Sequence, residues 1–573
     1  MTSPAVAERP TLESLTAASL ADRLLGFVAR SHARACALLV LISLACFLPG
    51  FVSLHPMDRD EPRFAQASKQ MLETGDFVDI RFQDEARHKK PVGIHWLQSA
   101  AVTAAGTLGV PEARTTIALY RIPSLLGAIA TVLLTYWAAL AFVGRREAFL
   151  AAAFIAASMI LTIEAHLAKT DAMLAACSVA AMGALARAWF ARHGTRVATQ
   201  TVLIFWGAVA AGILIKGPLV PLFVGLCAMV LSLRERSGYW LRSLRPGLGA
   251  LMTLLVVAPW FVAIAVKSGG AFFSASVGDD MLGKVATGQQ KHWGPPGFYL
   301  AAFFATFWPA AAFAALAAPY VWRHRREDAF AFALAWTLPT WLIFEAVSTK
   351  LPHYVMPLYP AMAIATVIAM ARGAVGPQRR GAKAVALLIP FVPLGLTLGL
   401  AFAAWQFEGR LPLAGLALLG AATLVAVMAW RSFSRNELAA AALTGVAAAM
   451  LVAVGALGQV QPALSALKIS PRLAEAARAL GCEAPQLGTV GYREPSLVFL
   501  TRTDLHMFEN GRDAAAFAAA GGCRLTFVES RHEPLFREEL AHRGVEPALM
   551  TRVAGFNING GRRVDLGAYH VKP

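Results

Sequence analysis

The apolar positions of this chain come in long uninterrupted blocks, separated by short polar stretches. Each block has close to the roughly 20 residues that an α-helix needs to cross the hydrocarbon core of a bilayer. We count thirteen blocks, which predicts a mainly α-helical, polytopic membrane protein. The predicted spans are 34–54, 122–143, 148–166, 171–190, 199–215, 218–233, 247–266, 298–320, 328–347, 353–371, 382–404, 411–430 and 438–460.

The stretch 92–110 is also apolar, but it carries His95, Trp96 and Gln98 at one end, so we predict that it lies at the membrane interface. The arginines support this choice. With thirteen spans and a cytoplasmic N-terminus, each of the six short cytoplasmic loops is basic, as the positive-inside rule requires. A crossing at 92–110 would move every later loop to the other side. The cytoplasmic cations are Arg145, Arg146, Arg187, Arg192, Arg196, Arg234, Arg236, Arg242, Arg245, Arg323, Arg325, Arg326, Arg372, Arg379, Arg380, Lys383, Arg431 and Arg435.

This topology divides the chain into three parts. Residues 1–33 form a cytoplasmic N-terminal segment without the features of a cleavable signal; its run Leu15–Val28 fits either an amphipathic helix on the membrane surface or a loose tail. Residues 34–460 form the transmembrane domain, with long outer loops at 55–121 and 267–297. Residues 461–573 follow the last span and lie outside the cytoplasm.

The polar C-terminal region is predicted to be a small α/β domain. Residues 487–492 and 524–529 have strand patterns, residues 513–520 and 534–543 have helix patterns, and 550–571 alternates around a turn at 559–561. Its two cysteines, Cys482 and Cys523, are either disulfide-bonded in an oxidising compartment or buried free thiols. The other four cysteines lie in or beside apolar spans, and no zinc-type pair spacing occurs.

Composition narrows the class of protein further. The 573 residues are 57% hydrophobic and only 15% charged, whereas a soluble domain has about a quarter charged residues. A soluble protein is therefore excluded. The net charge of +17 would suggest a nucleic-acid partner in a soluble chain. Here the arginine-rich cytoplasmic loops account for it, so no nucleic acid is expected.

The candidate chemistry gathers in the first outer loop. Between Asp58 and Lys90 this loop holds eight carboxylates and seven lysines or arginines, far more than a simple connection needs. Asp60 and Glu61 lie close to the end of the first span, where a carboxylate could act as a general base. Nearby lysines and arginines could bind a phosphate.

Other outer span ends carry polar residues as well. Asp171 could cap a helix and Lys216 could complement a helix dipole, so each has a purely structural explanation. All the mixed polar motifs nevertheless fall on one side of the membrane, including Lys350, His353 and Tyr354. Carboxylates, cations and aromatic residues at a membrane surface suit a substrate with an apolar tail and an anionic head. The cations would stabilise a phosphate leaving group.

Several of these segments resemble a known family. Asp60-Glu-Pro-Arg-Phe-Ala65 resembles the Asp-Glu-Gly-Arg-Tyr-Ala segment of the aminoarabinose transferases that modify lipid A. These belong to the protein-mannosyltransferase-like group of membrane glycosyltransferases with the C-type fold. Lys89-Lys-Pro-Val-Gly-Ile-His-Trp96 resembles the family's Glu-Lys-Pro-Pro-hydrophobic-x-Tyr-Trp segment. The remaining matches, in chain order, are Arg121-Ile-Pro-Ser124, Lys216-Gly-Pro218, Ser348-Thr-Lys-Leu-Pro-His-Tyr-Val-Met-Pro357 and Gly491-Tyr-Arg-Glu-Pro-Ser-Leu497.

The resemblance implies thirteen transmembrane helices, interfacial helices in the first outer loop and a periplasmic C-terminal domain, in a bacterial inner membrane. It implies an inverting sugar transfer from undecaprenyl phosphate, with lipid A as the first-choice acceptor. Asp60 would be the leading catalytic carboxylate, with Lys90 and Arg63 near the donor phosphate. Asp171, Lys216, Lys350 and Tyr354 would line the cavity. From the same outer segments we add Glu61 to the catalytic set and Arg59, His292 and His353 to the substrate-binding set.

Two departures from the family pattern concern the donor segment. Lys89 stands where the family has an acid, and Val92-Gly93 replaces Pro-hydrophobic. They leave open the identity of the sugar and whether a divalent metal is bound, so no cofactor is assigned. The alternative acceptor is a protein, as in the O-mannosyltransferases, or another envelope glycan. A lipid-linked-substrate transporter or flippase is the distant alternative, because the span centres hold almost no charges. A scaffold for the C-terminal domain would leave the first-loop charges unexplained.

Overall fold

The computed structural model describes residues 17–56, 59–194, 196–276, 278, 283 and 293–571. Up to residue 463 these residues are mostly helical. The principal helices there are Ala17–Ala29, His32–Phe47, Asp60–Thr74, Gly93–Thr107, Ile117–Ala139, Arg145–Ala156, Met159–Ala165, Asp171–Phe190, Thr199–Lys216, Leu219–Glu235, Pro246–Lys267, Phe298–Thr306, Ala311–Arg323, Asp328–Ala346, Tyr359–Ala371, Leu388–Glu408, Leu413–Ser434 and Leu438–Ala453.

Within the described residues, nine helices are long and apolar enough to cross a membrane, and a tenth candidate is a bent pair. The pair comprises Arg145–Ala156 and Met159–Ala165, with 60° between their axes. The predicted spans 34–54, 218–233 and 298–320 fall on shorter helices. The predicted class, a mainly α polytopic membrane protein with a small C-terminal sheet, is therefore confirmed. By the length and composition of the described helices alone, the predicted count of thirteen spans is not reached.

The first outer loop folds into two helices with a short hairpin between them. The first helix, Asp60–Thr74, is called the Asp60 helix. It has two acids in its first turn, which suit the positive end of the helix dipole, and it ends at Gly75 with φ 73°. The hairpin pairs β1 (Arg81–Phe82) with β2 (Glu85–Ala86). The apolar stretch 92–110 forms the helix Gly93–Thr107, whose 15 residues fall short of a bilayer crossing.

The C-terminal region is built on one five-stranded sheet. Its strands are β3 (Gln486–Val490), β4 (His506–Phe508), β5 (Arg524–Glu529), β6 (Ala548–Asn557) and β7 (Arg562–His570), in the spatial order β4-β3-β5-β7-β6. β3 pairs in parallel with β4 and β5, whereas β7 is antiparallel to β5 and β6. The helices are Ile469–Ala479, Pro495–Leu500, Gly511–Ala519 and Glu533–His542. The predicted strands, helices and terminal hairpin are thus present.

The alternatives for the C-terminal cysteines are also decided. Cys482 and Cys523 form a disulfide, with their Cα atoms 6.3 Å apart. The bond joins the chain just before β3 to the chain just before β5, two strands that are neighbours in the sheet.

The C-terminal region packs directly on the Asp60 helix. The amide of Gln66 donates to Thr503 Oγ1 at 2.8 Å, and Lys69 Nζ donates to the carbonyl of Phe499 at 3.0 Å. The ring of Phe499 in turn contacts Tyr120, 5.1 Å between centroids. Lys69 is almost wholly buried by these contacts, and burial lowers its pKa to about 8. The Asp60 helix therefore lies between the membrane helices and the sheet.

Candidate active site

Asp60 is the first residue of the Asp60 helix, and its side chain is 46% exposed. Arg63, one helical turn later, donates from Nη1 to Asp60 Oδ1 at 3.3 Å. Asp60 is thus a solvent-accessible carboxylate with a cation beside it, which is the arrangement that a general base or an electrostatic stabiliser requires.

Glu61 differs from its neighbour because the helix turns it inward. Its side chain is fully buried and accepts two hydrogen bonds from Arg121, at 2.7 Å and 3.1 Å. Glu61 Oε1 also accepts the backbone N–H of Ala168 at 3.1 Å. Both carboxylate oxygens are therefore occupied by protein donors.

Arg121 lies in the helix Ile117–Ala139, and its side chain is 1% exposed. Beyond its bonds to Glu61, Nη1 donates to the carbonyls of Phe51 and Leu54, at 3.2 Å and 2.7 Å. Nη2 also donates to the carbonyl of His55 at 3.3 Å. A guanidinium has five N–H donors, and all five are used here.

A second set of charges lies where several membrane helices end. We call it the Asp171 cluster; its members are Glu164, Lys169, Asp171, Lys216 and His353. Lys216 Nζ donates to Asp171 Oδ1 at 2.5 Å, and Lys169 Nζ lies 3.7 Å from Glu164 Oε1. His353 stands between the acids, with Nδ1 3.3 Å from Glu164 and Nε2 3.5 Å from Asp171.

Every side chain of the Asp171 cluster is at most 12% exposed. Buried charges persist only when they are paired, and here each carboxylate has a lysine and an imidazole nitrogen within 4 Å. The cluster therefore combines two carboxylates with two lysines and one imidazole.

Tyr354 contacts this cluster, whereas Lys350 binds the end of a helix. The ammonium of Lys216 lies 5.5 Å from the centroid of the Tyr354 ring. Lys350 is buried and donates to the carbonyls of Glu345 and Val347, at 2.8 Å and 2.7 Å. It therefore satisfies the carboxyl-terminal carbonyls of the helix Asp328–Ala346.

Three side chains, from the first outer loop and from the helix Ile117–Ala139, hold the turn between Glu164 and Asp171. Gln98 donates to the carbonyl of Ala168 at 3.1 Å, and Ser124 Oγ lies 2.6 Å from the carbonyl of Leu167. The third is Glu61, through the N–H of Ala168. Asp60 and the Asp171 cluster are therefore attached to the same buried framework.

The chain is similar to known proteins in both sequence and structure. No family model matches the chain. An undecaprenyl phosphate-alpha-4-amino-4-deoxy-L-arabinose arabinosyl transferase of Erwinia tasmaniensis is 26% identical over 53% of this chain and 54% of that protein. A Pseudomonas aeruginosa protein of the same name is 28% identical over 57% of this chain and 58% of that protein. The chain thus spans a little over half the length of the curated relatives it matches.

The crystal structure of ArnT from Cupriavidus metallidurans bound to undecaprenyl phosphate superposes with a TM-score of 0.71. It is 19% identical in sequence, and the match covers 93% of this chain and 97% of that one. The resemblance to the aminoarabinose transferases is confirmed. At this level of identity, the structural match establishes that the chain has the ArnT fold.

Within this ArnT fold, one departure from the family pattern has a local explanation. A Cβ on Gly93 would come within 2.7 Å of the carbonyl oxygen of Leu214, closer than real Cβ atoms approach. Gly93 therefore lets the Lys90 segment pack against the helix that ends in Lys216. Lys90 itself is half-buried three residues before this contact.

The two remaining predicted residues are Arg59 and His292. Arg59 Nε is 4.0 Å from Glu494 Oε2, which links the loop to the C-terminal region. His292 lies outside the described residues. Among the residues that the structure describes, no group of three or more His, Cys, Asp or Glu side chains is arranged to hold a metal ion.

Sequence reasoning assigned no role to Arg121 or Glu164. Arg121 was visible only as part of a family-like motif, and Glu164 as a charge near the outer end of a span. An ionisable residue in or beside an apolar span usually has a buried partner, and that signal could have marked both. The identity of the partners, Glu61 and His353, depends on distant parts of the chain.

Proposed function

We propose that this chain is an inner-membrane glycosyltransferase that moves a sugar from an undecaprenyl-phosphate donor to lipid A with inversion. The observation that carries the proposal is the pairing of an accessible carboxylate, Asp60, with the buried lysines of the Asp171 cluster on one framework. The ArnT fold and the activity for which the curated relatives are named support this proposal. They make 4-amino-4-deoxy-L-arabinose the first sugar to test.

The proposed site faces the periplasm. The basic loops predict a cytoplasmic side, and contacts among their residues support that grouping: Arg192 and Arg234 both pair with Asp328, at 2.6 Å and 3.2 Å. The segments around Asp60, Asp171, Lys216 and His353 belong to the opposite set of loops. On this topology the N-terminus is cytoplasmic and the sheet is periplasmic.

The chemistry follows from the charges. An acceptor oxygen attacks the anomeric carbon as its bond to the donor phosphate breaks, and undecaprenyl phosphate leaves with the bonding electrons. Lys216, Arg63 and Lys90 would stabilise the charge that develops on that phosphate. A lipid A phosphate is already anionic and needs little activation. A hydroxyl acceptor would instead lose its proton to Asp60.

An apolar cavity supplies a place for the polyprenyl chain. It has a volume of about 440 Å³ and lies between membrane helices. Its walls include Phe303, Trp341 and Met362. Trp341 also contacts Tyr299, whose ring centroid is 5.9 Å from the ammonium of Lys350. We propose that the tail of the donor occupies this cavity while its phosphate lies near the Asp171 cluster.

Asp60→Asn is the test of this function. The purified protein, reconstituted with lipid A, is given undecaprenyl-phosphate aminoarabinose, and sugar addition is followed by mass spectrometry. We expect the wild type to transfer the sugar. If the sugar is added to a hydroxyl group of lipid A, the rate in Asp60→Asn should fall on the order of 100-fold or more. If it is added to a phosphate of lipid A, the rate should fall less.

Asp84→Asn is the matched control, because Asp84 is an exposed acid of the same loop. It should transfer at the wild-type rate. Wild-type protein that adds no sugar from any polyprenyl-phosphate donor would contradict the proposal, and counterflow of labelled donor across vesicles would then favour a transporter.

A further inference from the structure

Arg121 and Glu61 form a buried pair to which sugar transfer assigns no chemical step. Glu61 cannot exchange a proton with a substrate, because its side chain has no exposed surface and accepts three protein hydrogen bonds. Glu61 nevertheless follows Asp60 directly in the chain. The pair can therefore affect transfer only by positioning other groups.

Three separate chain segments meet at this pair. Arg121 holds the carbonyls of Phe51, Leu54 and His55, in the segment that follows the helix His32–Phe47. Glu61 belongs to the first turn of the Asp60 helix. The N–H of Ala168, which Glu61 accepts, lies three residues before Asp171. One guanidinium and one carboxylate thus connect the start of the catalytic helix with the turn that carries the Asp171 cluster.

The energetics favour a geometric role. Apolar residues of similar volume can often replace a buried ion pair without loss of stability, since desolvation offsets much of the attraction. A fully hydrogen-bonded guanidinium instead fixes direction, because its five donors lie in one rigid plane. Lysine has only three donors on a flexible stem, so it cannot hold the same five acceptors.

We propose that Arg121 and Glu61 are positioning residues that hold Asp60 at a fixed distance and orientation from the Asp171 cluster. This inference rests on the proposed transfer function. It explains why an accessible carboxylate and buried lysines from different segments would act on one substrate. A displacement of about 1 Å between reacting groups can slow an enzyme on the order of 100-fold.

Three conservative variants test the proposal in the full-length protein: Glu61→Asp, Glu61→Gln and Arg121→Lys. Glu61→Asp is the sharpest, because it keeps the charge and withdraws the carboxylate by one methylene. We expect kcat to fall on the order of 100-fold in each, while KM for the donor changes less than about threefold. Since the two residues act as a unit, the double variant Glu61→Gln/Arg121→Lys should be no slower than the slower single variant.

Arg187→Lys is the matched control. Arg187 also joins two membrane helices through carbonyls, at 2.9 Å and 2.6 Å, but on the cytoplasmic side. It should lower thermal stability and leave kcat unchanged. Two results would show that the pair has no positioning role. One is a wild-type kcat in Glu61→Asp. The other is an equal fall of kcat in Arg187→Lys and Glu61→Asp when the two variants have the same thermal stability.

Amide hydrogen exchange tests the linkage between the two segments without any catalytic turnover. In Glu61→Asp and Arg121→Lys, residues 59–64 and 166–171 should both exchange faster than in the wild type, and Arg187→Lys should leave both unchanged. Faster exchange in only one segment would show that the pair does not link them. Wild-type protein that performs no transfer would overturn the proposed function. The exchange measurement would still decide whether Arg121 and Glu61 link the two segments.

Discussion

Asp60 and Glu61 are adjacent acids with opposite environments. Successive residues of a helix point about 100° apart, so one carboxylate faces solvent while the other enters the protein. The sequence placed both in the catalytic set. The contacts of Glu61 with Arg121 and Ala168 instead support a positioning role, and Asp60 stays the proposed catalytic residue.

Gly93→Ala should destabilise the outer-loop packing. The new methyl would lie 2.7 Å from the Leu214 carbonyl oxygen and 2.8 Å from its carbon, both backbone atoms that cannot turn aside. We expect a loss of about 1–3 kcal/mol in the free energy of unfolding. Thermal or denaturant unfolding of the purified protein measures it.

Gly106→Ala is the control for this prediction. It lies in the same helix, and a Cβ there meets no atom within 4 Å. Alanine in an open helical position should add about 0.5–1 kcal/mol of stability. Equal effects at the two glycines would show that the approach to Leu214 is unimportant.

At the scale of elements, the Asp60 helix is held from two sides. One side meets the helix Gly93–Thr107, where His95 Nδ1 lies 2.8 Å from Ser68 Oγ. The other side meets the C-terminal region through Gln66 and Lys69. Periodicity indicates that such helices exist, but their partners lie far away in the chain and are brought together by folding.

The contact at His95 should make the outer loop sensitive to acid. His95 is buried, and burial together with the charge of Arg87 lowers its pKa to about 3, from 6.5 in the unfolded chain. The unfolded state therefore binds the extra proton between pH 6.5 and pH 3. Stability is fully present above pH 6.5 and falls as the pH is lowered, by about 2 kcal/mol at pH 5.

His95→Gln should remove this part of the pH dependence. We expect the loss of stability between pH 7.5 and pH 5 to be about 2 kcal/mol smaller than in the wild type, as measured by unfolding at each pH. His542→Gln is the control, because His542 is exposed at the end of its helix. An unchanged pH dependence in His95→Gln would mean that this imidazole does not limit stability in acid.

At the scale of the whole molecule, the two predicted sets of loops differ in their charged residues. Arginines pair with a few acids on the predicted cytoplasmic side, as Arg192 does with Asp328. The mixed clusters of acids, lysines and histidine belong to the opposite set of predicted loops. A single orientation of the chain explains both sets.

The cysteines test that orientation. Cys482 and Cys523 should be oxidised in cells if the sheet is periplasmic, since disulfides persist in that compartment. Labelling denatured protein with a thiol-reactive polymer, with and without prior reduction, should reveal two additional thiols after reduction. Cys36, Cys46, Cys177 and Cys227 should react in both samples.

Cys482→Ser/Cys523→Ser should also weaken the C-terminal region. The bond closes a loop with a sequence separation of 41 residues, which corresponds to about 3–4 kcal/mol in the chain-entropy description. Unfolding of the two forms measures the difference. Reduced thiols in cells would instead indicate a cytoplasmic sheet and contradict the topology.

Local patterns in the sequence are enough to predict the class of protein, the approximate places of its membrane helices and the elements of its C-terminal sheet. These properties follow from local patterns of apolar residues, because the bilayer and the sheet each impose a fixed length or period. The ordered motifs also pointed to the family whose fold the structure has. Asp171, Lys216, His353 and Tyr354 were named from the sequence, and folding brings them together.

The pairs of charged residues that are in contact follow from the tertiary structure and not from local patterns. Arg121 and Glu61 are 60 residues apart, and His353 reaches Glu164 from a still more distant helix end. No local pattern encodes such pairs, because they depend on how the helices pack against one another. The same packing leaves the side chain of Asp60 46% exposed and buries the side chain of Glu61 completely.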